Sequence, residues 1–254
     1  MTHTPAPPTS QLAAQFDALH TARARSTLPA ALYAAAMGDD YPDEVAAAGS
    51  CDWPLLELMA TRLRMHPLQL LVDVGCGTGG IGLWLARALA LRLEGLDISP
   101  VAIEQASARR IRFAVPATFR VAGLENTGLP DGGAHGVVCV DALSFATNRR
   151  AAIQELGRIL APGARLVLTR AVRQDAEPRW EDKAHAAGLI VEHIDERPTE
   201  PAMWARLYRL WINHADDLRR ELGDDQAENM LREAHTRLPT LPGRRAVLLT
   251  LRRP

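Results

Sequence analysis

The sequence lacks the features that mark several large protein classes. Its 254 residues contain three cysteines, whose spacing fits neither a disulfide framework nor a metal site. Its apolar runs are far shorter than the roughly 20 residues that a membrane-spanning helix needs. Residues 1–10 lack the charged start and the apolar stretch of a secretory signal. We therefore expect a protein of a reducing, cytoplasmic compartment, with no membrane association and no bound metal.

An excess of charge is also absent. The 29 basic and 30 acidic residues leave a net charge of −1, so the chain has no electrostatic footprint for nucleic acid. Lys183 is its only lysine, and the bias towards arginine and alanine is typical of a GC-rich genome. The hydrophobic content of 47% is ordinary for a globular protein with a substantial core.

The pattern of elements changes along the chain. Residues 1–65 are predicted to be mainly helical, with the first ten disordered and Ser10 capping the first helix. In residues 66–198, apolar strands alternate with helices, which predicts a doubly wound parallel α/β sheet. Residues 199–242 are predicted to be a helical insertion, in which 201–222 form one helix, and 243–254 are predicted to contain the last strand.

The string "VDVGCGTGG", residues 72–80, is the sharpest local signal. Gly75, Gly77 and Gly80 formally match a dinucleotide-binding fingerprint, which alone is weak evidence. Asp73 sits at the end of the preceding strand, where a carboxylate would repel a pyrophosphate and favour a cation. The lysine of a phosphate-binding P-loop is missing. The loop therefore favours a ligand with a cationic group, although Asp73 could instead cap the loop.

A second carboxylate ends the next predicted strand. Asp97 lies 18 positions beyond Gly79, where a carboxylate can accept hydrogen bonds from both ribose hydroxyls. Ser99 and Pro100 follow as the predicted cap and first turn of a helix, although Asp97 could also serve as a cap. A binding position for a nucleoside beside one for a cationic group matches S-adenosylmethionine, which carries a ribose and an ammonium near a sulfonium.

These motifs resemble those of class I S-adenosylmethionine-dependent methyltransferases. "VDVGCGTGG" is similar to their first motif, "EGLDIS" to their second, and "LAPGARLVLT" to the turn before their fifth strand. "GLENTGLPDGGAHGVVCV" is similar to the region around their fourth strand, so the resemblance covers residues 55–172. It implies a seven-stranded Rossmann-like sheet with a reversed last strand, for which "GRRAVLLTLRR" is the candidate, with N-terminal helices and a helical insertion before that strand.

The resemblance also implies a cofactor site for S-adenosylmethionine, with S-adenosylhomocysteine as the product. In it, the loop would surround the methionine part, Asp73 would contact the ammonium directly or through water, and Asp97 would hold the ribose. Ile98 and Leu124 would cover the adenine, and Glu125 would replace an acceptor that the family usually has where this chain has Gly123. The residues so implied are Asp73, Gly75, Gly77, Thr78, Gly79, Asp97, Ile98, Leu124, Glu125 and Asp141.

The methyl acceptor is less clear from the sequence. Trp204, Tyr208 and Trp211 share one helix face and form either the core of the cap or an aromatic pocket wall. Two aromatic residues of the N-terminal segment, Tyr33 and Trp53, are further pocket candidates. The candidates for a catalytic group are Asp141, which could equally cap a helix, and His214. His20 is interpreted as an exposed helix residue.

Three functions remain open at this point. The first is methyl transfer to an oxygen, nitrogen or carbon of a small molecule, in bacterial secondary metabolism. A second is a cyclase or another enzyme that binds S-adenosylmethionine on the same fold without spending it. A third is a partner subunit without catalysis. The sequence does not decide whether the chain forms a homodimer.

Overall fold

The computed structural model describes residues 9–254 and contains one seven-stranded sheet. The strands follow the order β3-β2-β1-β4-β5-β7-β6, and β7 runs antiparallel to both of its neighbours. They are β1 Leu70–Val74, β2 Arg92–Asp97, β3 Ala117–Val121, β4 Ala134–Cys139, β5 Leu160–Arg173, β6 Ile190–Glu196 and β7 Arg244–Arg252. The predicted fold class is confirmed, including the reversed last strand.

Ten α-helices accompany this sheet in the described part of the chain. They are α1 Thr9–Arg23, α2 Leu28–Met37, α3 Trp53–Leu63, α4 Gly80–Ala88, α5 Pro100–Phe113, α6 Arg149–Ile159, α7 Trp180–His185, α8 Glu200–Asn213, α9 Ala215–Leu222 and α10 Asp224–Arg237. None of the helices in residues 9–254 combines the length and the apolar character that crossing a membrane requires.

The two faces of the sheet bury separate apolar clusters. Helices α6 and α7 cover one face, where Leu156 and Trp180 pack on strand residues such as Leu168. Helices α3 and α4 cover the other, where Met59 and Leu83 are fully buried. Strands covered on both faces need continuous apolar runs, which is the pattern that β1 and β4 show.

A third apolar cluster lies away from the sheet and joins the two ends of the chain. It packs α2 against α8–α10, with Tyr33 in edge contact with Trp204 and Trp211. Helix α8 is amphipathic, and its apolar face, which includes the buried Leu207 and Trp211, packs against α2. This helical layer stands over the carboxyl ends of the strands and closes the site described below.

The local expectations differ from the structure at two points. Residues 201–222 form two helices rather than one, because helix α8 ends before His214 and α9 begins after it. Asp216 and Asp217 lie in the first turn of α9, where their negative charges interact favourably with the positive end of the helix dipole. Ser10 lies within α1 rather than capping it. The predicted disorder of the first ten residues falls almost wholly outside the described residues. Ser99 does cap α5, accepting a hydrogen bond from the amide of Ala102, with Pro100 in the first turn.

Candidate cofactor and acceptor site

The glycine loop leaves β1 at the point where the sheet order reverses. Strand β1 lies between β2 and β4, so their loops diverge and open a crevice, the usual ligand position in such sheets. Gly75 has a φ of 74°, and a Cβ there would lie 2.3 Å from the Cβ of Ala142. Only glycine combines that left-handed backbone with so close an approach of the β4 loop. The loop is thereby held against the end of β4.

Asp73 lies beneath this loop. Its side chain is buried, and Oδ2 accepts a hydrogen bond from the amide of Gly82 at 3.1 Å. Burial raises the pKa of Asp73 to about 7, against the opposing effect of that hydrogen bond. It does not line the cavity described below. The geometry shows a carboxyl group that holds α4 to β1; its contact with a cofactor ammonium stays a prediction.

Asp97 ties the ends of β1 and β2 together. Its Oδ2 accepts from the amide of Gly77 at 2.8 Å, and its Oδ1 accepts from the amide of Ser99 at 2.9 Å. The carboxylate is 8% exposed and faces the cavity. Each oxygen keeps a lone pair for a ligand. Asp97 thus shapes the loop and also offers acceptors at its open side.

An apolar wall continues from Asp97. Ile98 and Leu124 both line the cavity, and Gly123 leaves space beside them, because a Cβ on it would meet nothing nearer than Ile98 at 3.9 Å. Glu125 also faces the cavity, with Oε1 accepting a hydrogen bond from the amide of Asn148 at 3.0 Å. The predicted adenine-binding residues therefore lie together, on one wall.

The N-terminal helix α1 covers this part of the crevice. Asp17 accepts from the hydroxyl of Ser99 at 2.6 Å, which anchors α1 at the start of α5. Phe16 packs edge-on against Phe145 at a ring distance of 5.1 Å, across the opening. His20 lies close to the glycine loop, and burial lowers its pKa despite the nearby carboxylate of Asp97. The helix therefore forms a roof over the loop.

The enclosed space is a cavity of about 500 Å³. A smaller cavity of about 350 Å³ adjoins it and shares Arg23, Tyr33 and Gly77 with it. Arg23, near the end of α1, places its guanidinium 5.9 Å from the centre of the Tyr33 ring, and its buried Nε has no hydrogen-bond partner among residues 9–254. An unsatisfied buried donor is costly, and the Arg23 side chain that carries it lines both cavities.

Asp141 stands at the end of β4 with a left-handed φ of 57°. Its carboxylate accepts hydrogen bonds from the amide and hydroxyl of Ser50 and from the hydroxyl of Thr169. Ser50 in turn receives hydrogen bonds from Arg197, which also pairs with Asp52. This buried network holds Asp141 in place as an acceptor already supplied with three donors.

The far wall of the cavity is aromatic. Trp204, Tyr208 and Trp211 of α8 line it and also belong to the core that α8 forms with α2. Trp204 donates to Glu200 at 2.8 Å, and Tyr208 donates to Glu233 at 2.9 Å. This helix face is thus part of a core and also part of the cavity wall, and its contact with a substrate stays a prediction.

Other predicted site residues lie elsewhere. Thr78 lines the smaller cavity and accepts a hydrogen bond from Arg109. Gly79 packs against Phe119 and lines neither cavity. Trp53 is the first residue of α3 and packs against Trp84 of α4, with 5.7 Å between the ring centres. His214, at the break between α8 and α9, contacts Asp217 at 3.1 Å and is 41% exposed, outside both cavities.

Sequence reasoning missed the inner face of α1. Phe16, His20 and Arg23 fall at positions i, i+4 and i+7, the same spacing that singled out the aromatic face of α8. All three line the cavity, so the interpretation of His20 as an exposed residue was wrong. Their helical periodicity was the signal that could have identified them.

Comparison with known proteins agrees with this geometry. Residues 71–163, from β1 to the turn in β5, match the family model described as a methyltransferase domain. Over these residues the chain is similar to a methyltransferase domain. The match includes the glycine loop and Asp97, which the structure brings together at the crevice.

Relatives of this chain include proteins named as O-methyltransferases. An O-methyltransferase of Pyrenophora dematioidea is 31% identical over 150 residues, which cover 55% of each protein. A probable chloroplastic tocopherol O-methyltransferase of Oryza sativa subsp. japonica is 30% identical over 112 residues, 43% of this chain and 31% of that protein. The chain thus spans about a third to a half of these relatives' length.

The likeness to solved structures extends beyond residues 71–163 to the N-terminal helices and to α8–α10, which pack together as a helical cap. The crystal structure of the [4+2]-cyclase SpnF superposes with a TM-score of 0.78 over 99% of this chain and 98% of that one, at 20% identity. At such identity the likeness establishes the fold. It shows that the arrangement of sheet and helical cap seen here also occurs in another protein.

Proposed function

We propose that the protein is an S-adenosylmethionine-dependent methyltransferase that acts on a small organic molecule. The observation that carries the proposal is one continuous cavity, which runs from the glycine loop and Asp97 to the aromatic face of α8. A volume of about 500 Å³ is in the usual range for a small-molecule site. The family match and the O-methyltransferase names of the relatives support the same activity.

The residues present fit the proposed cofactor. Asp97 offers acceptors for ribose hydroxyls, and Ile98 and Leu124 offer an apolar wall for a purine. Arg23, whose buried Nε is unsatisfied, lines both cavities where they meet, beside the loop that would surround the amino-acid part. We therefore assign the cofactor carboxylate to Arg23, a residue that the motif comparison did not reach.

The main contribution required of the protein is to position the acceptor atom. S-adenosylmethionine supplies an activated methyl group, and the protein must hold an acceptor atom in line with it at about 3–3.5 Å. Asp141 is already engaged by Ser50 and Thr169, so its role in this proposal is to fix the floor of the site rather than to remove a proton. An acceptor that is acidic or already nucleophilic would react without a strong base.

The helical cap would exclude water from this reaction. In our proposal residues 9–65 and 199–242 form it, the first eight residues lying outside the described part of the chain, and residues 66–198 with 243–254 form the cofactor-binding core. An enclosed aromatic wall favours flat organic acceptors, such as those of bacterial secondary metabolism. The whole-length likeness to a cyclase keeps an enzyme that binds the cofactor without consuming it as the second candidate.

Incubation with methyl-labelled S-adenosylmethionine and a panel of phenols, amines and enolizable ketones tests the proposal. A methyltransferase produces S-adenosylhomocysteine and a product heavier by one methylene group in equal amounts. Conversion of a substrate without S-adenosylhomocysteine would support the second candidate. Failure of the protein to bind the cofactor would refute both.

A further inference from the structure

The charged side chains that line the cavity differ in whether they have hydrogen-bond partners within the protein. Its five carboxylates each accept at least one hydrogen bond from the protein. They are Asp97, Glu125, Asp141, Glu200 and Glu233. Each carboxylate of this wall therefore has at least one donor within the protein, which is not true of every arginine that lines it.

Arg170 is the clearest case. Buried and half-buried arginines of residues 9–254 generally have carboxylate or carbonyl partners, as Arg165 has in Glu192 and Arg244 has in Glu200. Arg170 is half-buried and lines the cavity, yet its guanidinium forms no hydrogen bond or ion pair with residues 9–254. Residues 1–8 contain no acidic side chain that could supply one. Burying a charge without a counter-ion is costly, and an incoming anion would remove that cost.

The neighbours of Arg170 add to its positive field. Its guanidinium lies 5.9 Å from the centre of the Trp180 ring, and the ammonium of Lys183 lies 5.1 Å from the same ring. Arg149, at the start of α6, also lines the cavity and donates to the carbonyl of Ser144. Burial and the charge of Arg149 lower the pKa of Arg170. A cationic acceptor would be repelled here.

The position of Arg170 places this field on the acceptor side. It lies on β5, which is separated from the glycine loop of β1 by strand β4, and it lines the same cavity. Arg23, whose buried Nε has no partner in residues 9–254, lies at the glycine loop and is assigned to the cofactor carboxylate. Two cavity guanidiniums without a partner in residues 9–254 therefore remain after the cofactor is accounted for, and of these Arg170 is half-buried whereas Arg237 is exposed.

We propose that Arg170 binds an anionic group, a carboxylate or a phosphate, of the methyl acceptor. The acceptor part of this statement rests on the proposed function, whereas the anion site itself does not. A guanidinium recognises either group through two parallel hydrogen bonds. Arg149 strengthens the field at the mouth of the cavity, and the aromatic face of α8 contacts the uncharged part of the molecule.

Protection of Arg170 from phenylglyoxal tests the proposal on the unmodified protein. The protein is labelled with and without S-adenosylhomocysteine, in benzoate, inorganic phosphate or neutral benzamide at constant ionic strength, and labelling is quantified by peptide mass spectrometry. Benzoate or phosphate should slow labelling of Arg170 at least about fivefold, and benzamide should not. Protection by benzoate alone identifies a carboxylate site, and protection by phosphate alone a phosphate site. Equal labelling in all three would overturn the proposal.

The variants R170Q and R173Q provide a matched comparison. Arg173 lies three residues further along β5, pairs with Asp175 and lines neither cavity. R170Q should bind the protective anion about tenfold more weakly or worse, the loss expected for a hydrogen-bonded charge, while R173Q should bind it like the wild type. Unchanged anion affinity in R170Q would contradict the proposal.

Cofactor binding is measured separately on the same samples. An affinity of R170Q for S-adenosylhomocysteine within twofold of the wild type shows that the variant is folded. If no protein binds S-adenosylhomocysteine, the proposed function fails, and the anion site is still judged by the labelling without that ligand. The two failures are therefore distinguishable.

Discussion

Replacing Asp73 by asparagine should make the protein more stable at alkaline pH. The side chain is 2% exposed, and burial raises its pKa from 3.8 to about 7. The folded state therefore binds a proton more tightly than the unfolded state does, and stability falls as pH rises from about 4 to about 7. Asparagine removes the ionisation, and its oxygen can still accept from the amide of Gly82.

The size of the effect follows from the pKa difference. Each pKa unit corresponds to about 1.4 kcal/mol, so ionised Asp73 costs the folded state up to about 4 kcal/mol above pH 7. The gain of D73N over the wild type should therefore be near zero at pH 4, grow up to neutrality and stay constant beyond. Relaxation around a buried charge makes this an upper value.

Urea unfolding at pH 4.5, 5.5, 6.5 and 8 measures the difference. D195N is a suitable control, because its hydrogen bond with Arg62 lowers the pKa of Asp195. That carboxylate stabilises the folded state above its ordinary pKa, so D195N should be destabilised by a constant amount between pH 5 and pH 8. A D73N difference that is flat over this range would refute the burial argument.

The same variant separates two roles of Asp73. If Asp73 only supports the loop from beneath, D73N should change the affinity for S-adenosylhomocysteine by less than about threefold. Direct contact with the ammonium would instead cost about 1.5–3 kcal/mol on removal of the charge. Calorimetric titration of D73N at pH 8, where the wild-type carboxyl is ionised, decides between them.

Three further predictions concern the loop and the core. G75A should destabilise the protein by several kcal/mol or abolish cofactor binding, because its Cβ would lie 2.3 Å from that of Ala142. The control G163A has a similar φ and open space around the new Cβ, so thermal unfolding should show a loss of stability of only about 1–2 kcal/mol. D97A should weaken binding of S-adenosylhomocysteine by about 1.5–3 kcal/mol in calorimetry, and unchanged affinity would exclude the ribose role. The three cysteines, all buried, should react with iodoacetamide at pH 7.5 only after unfolding, and rapid labelling of the native protein would contradict their placement.

The fold could be predicted well because local and long-range signals agree. Apolar strands alternate with helices over residues 66–198, and parallel sheets built this way allow few arrangements. Ser99 and Pro100 marked the start of α5 correctly. The break at His214 was missed because helical periodicity continues across it in the apolar residues.

The candidate site was predictable only where it is continuous in sequence. Gly75, Gly77 and Asp97 lie close along the chain and meet in the structure. The network from Asp141 through Ser50 to Arg197 joins positions about 50 to 150 residues apart, so no spacing in the sequence reveals it.

Aromatic content was similarly ambiguous. Trp53 and Trp204 are both tryptophans in amphipathic surroundings, but α3 turns the first towards Trp84 and α8 turns the second into the cavity. The direction of a side chain depends on which helix packs beside it, and that is a tertiary property.

Calorimetric titration of the purified protein with S-adenosylhomocysteine tests the central claim most directly. We expect one site per chain, displacement by S-adenosylmethionine, and loss of affinity in R23Q, whose guanidinium is assigned to the shared carboxylate. Absence of binding, or binding that neither R23Q nor D97A weakens, would contradict the assignment of this cavity to the cofactor.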